Sequence, residues 1–219
     1  MDAAAPNTEQ FDDSQKRPSR RSIWPTLLTV GAVVLVLAAI TFLARRATKD
    51  TENCLTCANN MRQLGLAVLM YQTSRKEQIP VYTVDANGKR LYSWRVHVLP
   101  YIEEKSLFNQ YNFKEPFDSP HNQKFANRMD TEFCCPFHES TSETSYFLVT
   151  KNGKVGECEI DGEKVLMIEV PDRRVNWLSP HGEVECDEIP AIRARIKEMG
   201  HPLGIGIVLV DGSFKRLTE

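Results

Sequence analysis

The chain has 219 residues, 27 basic against 29 acidic side chains for a formal charge of −2, and 42 % hydrophobic residues. So even a balance provides no basic field for a nucleic-acid partner, and the length fits one modest globular domain plus appendages. Six cysteines, Cys54, Cys57, Cys134, Cys135, Cys158 and Cys186, form an even set that suits an oxidising compartment, where disulfides persist.

Residues 1–22 are polar, with few large apolar side chains, and read as a disordered cytoplasmic leader. From Ile23 to Ala44 the chain carries no charge and is built mainly from Leu, Val, Ala, Ile and Thr. At about 1.5 Å per residue this stretch reaches roughly 33 Å as a helix, enough to cross a hydrocarbon core of about 30 Å. Lys16, Arg17, Arg20 and Arg21 precede it, and Arg45, Arg46, Lys49 and Arg62 follow, so charge alone gives no orientation. The acidic Asp2, Glu9, Asp12 and Asp13 make a poor secretory n-region, and no small-x-small site follows the apolar run. An uncleaved signal anchor in the cytoplasmic membrane is therefore expected, with residues 45–219 outside the cytoplasm, an orientation that rests on the cysteines.

The helical pattern continues over 45–76. Cys54, Cys57, Met61, Leu64, Val68 and Tyr71 recur at three- and four-residue spacings, which predicts a stripe facing a core. Helix signals stop near Ile79 and Pro80; Asp85 to Gly88 reads as a turn, and Arg90 to Ser93 as a short strand. Trp94 to Glu104 is expected to be a helix that Pro100 can kink, with Leu107, Phe108 and Tyr111 on another apolar face. Asp118-Ser119-Pro120 resembles a capped start and predicts a helix to about Met129.

The second half is richer in β-branched and aromatic residues, and strands are predicted at Ser145 to Thr150, Val165 to Val170 and Gly204 to Val210. Asn152-Gly153 and Asp211-Gly212 supply turns that tolerate positive φ. Pro190 to Met199 has the composition of an exposed helix that Gly200 stops. The sum is an α+β architecture: a membrane-rooted long helix, helical connections, and an antiparallel C-terminal sheet.

Four blocks, Cys57 to Ala67, Ser93 to Glu103, Phe113 to Asn122, and His201 with Asp211-Gly212, occur in order over most of the chain. Together they resemble a bacterial family of unknown function abundant in planctomycetes. That family is described by a prepilin-like N-terminus and a C-terminal H-x9-D-G signature, and is also filed under a solute-binding-protein label. The resemblance implies a pilin- or pseudopilin-like fold. Six cysteines allow 15 pairings; the resemblance favours Cys57 with Cys135, and Cys158 with Cys186 is then taken as a second pair. One departure is plain: Ser22 to Leu28 offers no prepilin cleavage site, and the apolar run contains no acid.

Cys54-x2-Cys57 and Cys135-x2-His138 could offer four zinc ligands, against which stands disulfide bonding, favoured by the inferred compartment. No metal or cofactor is expected on that reading. His201 and Asp211 have the chemistry of a base and its orienter. Nine residues of strand, about 30 Å, would hold them apart, so a structural role is expected for both, with His201 hydrogen-bonded at the sheet edge. The segment Glu115 to Asp118, with Ser119 and Asn122, could hold calcium, but an N-cap explains Asp118 more simply. Trp94 is expected in the core. The expectation is a non-enzymatic, membrane-anchored interaction domain with protein partners or self-association; a tethered solute- or polysaccharide-binding module is the alternative.

Overall fold

The computed structural model describes residues 24–129, 131–138, 140 and 142–219. The leader expected over 1–22 lies outside them. Two units are resolved, Met1–Arg46 and Ala47–Glu219.

A single helix, α1, spans Trp24–Arg75. In the first unit its large apolar side chains stand free: Leu27, Leu35 and Phe42 are 58 %, 72 % and 65 % exposed. Among the described residues it is the one helix long and apolar enough to cross a membrane. From Cys54 onward the predicted stripe is realised, with Cys54, Cys57, Met61, Leu64, Val68 and Tyr71 all buried. Lys76, at φ 58°, ends the helix by entering the left-handed region, before the Ile79-Pro80 signal.

Beyond α1, β1 (Tyr82–Val84) and β2 (Arg90–Ser93) form a hairpin around Asp85, whose carboxylate accepts from the backbone N–H groups of Asn87 and Lys89. The predicted helix at Trp94 divides into α2 (Trp94–Val98), capped by the Ser93 hydroxyl, and a 3-10 turn at Leu99–Tyr101 where Pro100 sits in its first turn. A short α3 (Lys105–Gln110) follows and buries Leu107.

The helix expected from Asp118 to Met129 does not form; the segment is turns around a 3-10 piece, Asn122–Phe125. Asp118 is exposed, and it is the Ser119 hydroxyl that accepts from the Asn122 N–H, at 3.1 Å. The buried Asn122 amide donates to the carbonyls of Asn112, Glu115 and Pro116 at 3.0, 3.3 and 3.1 Å. Those oxygens are ones a calcium ion would need.

The main sheet comprises β4 (Tyr146–Lys151), β5 (Lys154–Val155), β6 (Cys158–Ile160), β7 (Glu163–Glu169), β9 (Val184–Glu185), β10 (Ile205–Leu209) and β11 (Phe214–Leu217). A separate small pair joins β3 (Glu143–Thr144) to β8 (Val175–Asn176). The central order is β11-β10-β7-β4-β5; β6 pairs with β7, and β9 lies parallel to β4. Tyr146 and Leu148 belong to the core shared with α1, Phe147 and Val149 to a second core on the opposite face, as a period of two requires. A bulge passes over Leu166, since Val208 pairs with Met167 but Leu209 with Val165. The Asn152-Gly153 turn has both residues at positive φ, 53° and 73°.

The Pro190–Met199 segment is also two short pieces, α4 (Ile189–Arg193) and a 3-10 turn at Ile196–Met199, closed by Gly200 at φ 71°. It is not an exposed helix: Ile189, Ile192, Ile196 and Met199 are buried in the second core. Helix and sheet approach closely where side chains are missing. A Cβ on Gly65 would lie 2.6 Å from Val208 Cγ1, and one on Gly206 would lie 2.4 Å from Met61 Sδ.

Candidate functional site

At the meeting of α1 with the sheet, the stripe that buries Met61 and Leu64 also buries the Cys57 thiol. Opposite it stands Glu169, the last residue of β7 and fully buried. Glu169 breaks an otherwise apolar strand, Val165-Leu-Met-Ile-Glu-Val170. Cys135 enters from the loop after a 3-10 turn at Thr131–Phe133, and His201 from the loop that Gly200 turns toward β10. The sulfur, nitrogen and oxygen atoms of Cys57, Cys135, Glu169 and His201 all lie within 4.8 Å of one another. Cys57 Sγ is 3.3 Å from Glu169 Oε1, His201 Nε2 is 3.5 Å from the same oxygen, and Cys135 Sγ is 3.9 Å from His201 Nε2.

The surroundings fix the cluster in place. The Gly206 N–H donates to Glu169 Oε2 at 3.1 Å, and the Arg216 guanidinium stands 4.0 Å from that oxygen. Oε2 is thereby engaged and is also 3.4 Å from Cys57 Sγ, while Oε1 faces Cys57 and the imidazole. Arg216 also donates to the Gly204 and Cys54 carbonyls, at 3.1 and 2.8 Å, tying β11 to α1. Phe137 packs edge-on to the His201 ring at 4.5 Å. Hydrogen bonding, from Cys135 foremost and also from His201 and Tyr146, holds the Cys57 thiol below its ordinary range, against burial and the Glu169 charge. Pairing with Cys57, with burial added, raises the Cys135 thiol.

Cys158 and Cys186 are joined by a disulfide, as expected, linking β6 to the turn after β9. Cys54, Cys57, Cys134 and Cys135 are free thiols. Cys57 and Cys135, the pair the resemblance joins, lie side by side as free thiols, within 4.8 Å of each other. The local zinc set fails on two members: Cys54 and His138 stand outside the cluster, and Glu169 and His201 take their places. Cys134 instead donates to the His138 carbonyl at 3.2 Å, and burial raises the thiols of both Cys54 and Cys134.

His201 is not a plain sheet-edge residue, since its ring belongs to the buried cluster. Asp211 lies in the turn beyond β10, exposed, its carboxylate accepting from the Ser213 N–H and held below its ordinary range by the Ser213 side chain first and that backbone contact second. Gly212, at φ 85°, completes the turn. Trp94 is buried, 6.3 Å from Phe133 ring to ring. Beside it lies Arg95, which the sequence reading did not single out. It is fully buried, donates to the Tyr146 carbonyl at 2.6 Å and to the Ser93 hydroxyl at 3.2 Å, and burial lowers its pKa to about 9.

No curated protein matches the chain, and no solved structure does. One family profile matches residues 54–165, under the name SBP_bac_10 and the description "Protein of unknown function (DUF1559)". The match takes in α1 from Cys54, the aromatic blocks and the sheet as far as Val165, with Cys57 and Cys135 inside it and Glu169 and His201 beyond it. The chain belongs to this family of unknown function, with an α+β body and a long N-terminal apolar helix.

Proposed function

We propose that the protein is a single-pass, membrane-anchored, non-enzymatic interaction module, its pilin-like body lying outside the cytoplasm in a pseudopilin, secretion-related or cell-surface role. The observation that carries the reading is a change in burial along α1. Its large apolar side chains from Leu27 to Leu43 are each more than half exposed, while Cys54, Cys57, Met61, Leu64, Val68 and Tyr71 are buried in the core. Lipid is the medium that would satisfy the first segment without water-exposed apolar area.

The body's outer flank carries apolar side chains that a protein partner would cover. Leu55, Leu66 and Met70 of α1 are 67 %, 51 % and 52 % exposed.

The test is fractionation of cells producing the full chain with a tag at each end. The chain should resist alkaline washing and dissolve only in detergent. Protease added to spheroplasts should remove the C-terminal tag and spare the N-terminal one. Release by alkali, or a C-terminal tag protected until lysis, contradicts the reading.

A further inference from the structure

We propose that Cys57, Cys135, Glu169 and His201 form a closed four-ligand site for one zinc-type divalent ion, which pins α1 to the end of the sheet. The inference is independent of the membrane reading, because it rests on the interior of the body alone.

Donor type comes first. Two sulfurs, an imidazole nitrogen and a carboxylate oxygen form a set that zinc accepts, and the shared point between them is sealed from solvent. In tetrahedral zinc sites, bond lengths of about 2.3 Å to sulfur and 2.0–2.1 Å to nitrogen or oxygen put neighbouring ligand atoms about 3.3–3.8 Å apart. Here the separations are 3.3 Å between Cys57 Sγ and Glu169 Oε1, 3.5 Å between Glu169 Oε1 and His201 Nε2, and 3.9 Å between His201 Nε2 and Cys135 Sγ. The remaining three pairs lie within 4.8 Å, so the four atoms reach tetrahedral spacing around a common ion with shifts of up to about an ångström.

Charge and surroundings agree. Two thiolates and a carboxylate around a dication leave one net negative charge, and Arg216 beside Glu169 Oε2 offsets it. The Gly206 N–H and Arg216 hold that oxygen, which presents Oε1 as a one-toothed ligand, the kind of outer support that metal carboxylates receive. Loading expels the two thiol protons to solvent.

One contact must yield. Arg216 Nη1 lies 3.3 Å from His201 Nδ1, and donation there places the imidazole proton on Nε2. For Nε2 to ligate, the proton moves to Nδ1 and Arg216 keeps only its Gly204 and Cys54 carbonyls. With four protein ligands and no open position the ion's role is structural.

The test uses the full chain, purified in detergent under argon, with zinc measured by mass spectrometry and cobalt(II) as a spectroscopic substitute. The expected result is about one zinc per chain. The cobalt form should show thiolate-to-cobalt charge transfer and the intense visible bands of a tetrahedral ion. Both signals should persist in a Cys54→Ser, Cys134→Ser double variant, whose two changes lie outside the site, and chelation should lower the unfolding midpoint. A chain that stays metal-free in micromolar zinc overturns the proposal. So does metal that disappears with Cys54 and Cys134. Recovery of a Cys57–Cys135 disulfide peptide from cells alkylated before lysis overturns it as well. None of these outcomes depends on a ligand variant folding.

Discussion

Glu169 and Cys57 lie 112 residues apart in the chain and meet at 3.3 Å in an interior that excludes water from both. Their contact joins the end of β7 to the first buried turn of α1. Glu169 is committed to that place, since its other oxygen receives the Gly206 N–H. A side chain at residue 206 would collide with Met61 and Phe214, so only glycine lets this backbone amide approach.

The same close approach one helical turn further on sets the first prediction. Gly65→Ala forces a methyl to within 2.6 Å of Val208 Cγ1 and should destabilise the body by about 1–3 kcal/mol, the usual cost of overpacking. Val208→Ala in the same chain should recover part of that loss, giving a coupling energy of more than about 0.5 kcal/mol in a double-mutant cycle read by denaturant unfolding.

The disulfide between Cys158 and Cys186 closes a loop with a sequence separation of 28. Loop-closure entropy predicts that replacing both with serine lowers stability by about 3 kcal/mol. Reductant should shift the unfolding midpoint of the parent chain and leave that of the variant unmoved.

His97 gives a pH dependence. Its ring packs 5.6 Å from Tyr71 and 5.3 Å from Tyr92, and Nε2 is 2.9 Å from the Thr83 hydroxyl. Burial, with the Arg75 charge added, lowers its pKa from 6.5 to about 4. Below about pH 6.5 the unfolded chain takes a proton that the folded chain refuses, so stability falls as pH drops from 6.5 to about 4. The contribution is on the order of 2–3 kcal/mol across that window. His97→Gln should flatten the slope there and nowhere else in the profile.

Asn122 holds the loop that reads as a calcium site. Removing its amide with Asn122→Ala strips the Glu115 carbonyl of its donor and the Asn112 N–H of its acceptor, the Asn122 oxygen at 3.0 Å, while the Asn112 and Pro116 carbonyls keep the Glu115 and Ser119 N–H groups. A loss of about 2–4 kcal/mol follows, because buried groups left unpaired bear their full desolvation cost. Millimolar calcium should leave the melting curve of the parent chain unchanged.

What could be read from the residues alone was local. The α1 stripe and the Asn152-Gly153 turn follow from spacing and backbone preference within a few residues, and both are present as expected. The Asp118–Met129 helix does not form because Asn122 spends its amide on loop carbonyls, and its N–H goes to the Ser119 hydroxyl, not to Asp118. The Pro190–Met199 segment looked exposed by its charges, yet its isoleucines at 189, 192 and 196 recur at three- and four-residue intervals and are buried. The cluster around Glu169 was out of reach, since its members come from four separate segments. One local sign existed: a single acid inside the apolar run Val165 to Val170, which no surface strand requires.

The claim beneath the whole account is that α1 is one helix in two solvents, and the most direct test is depth-resolved quenching in bilayers whose acyl chains carry bromine near the midplane. Trp24 is first replaced by Phe, and a single tryptophan is then placed at Leu35 or at Leu55 of the full chain. The account predicts strong quenching at position 35 and none at position 55, above the shared background of the buried Trp94 and Trp177. Equal quenching at both positions, or at neither, would contradict it.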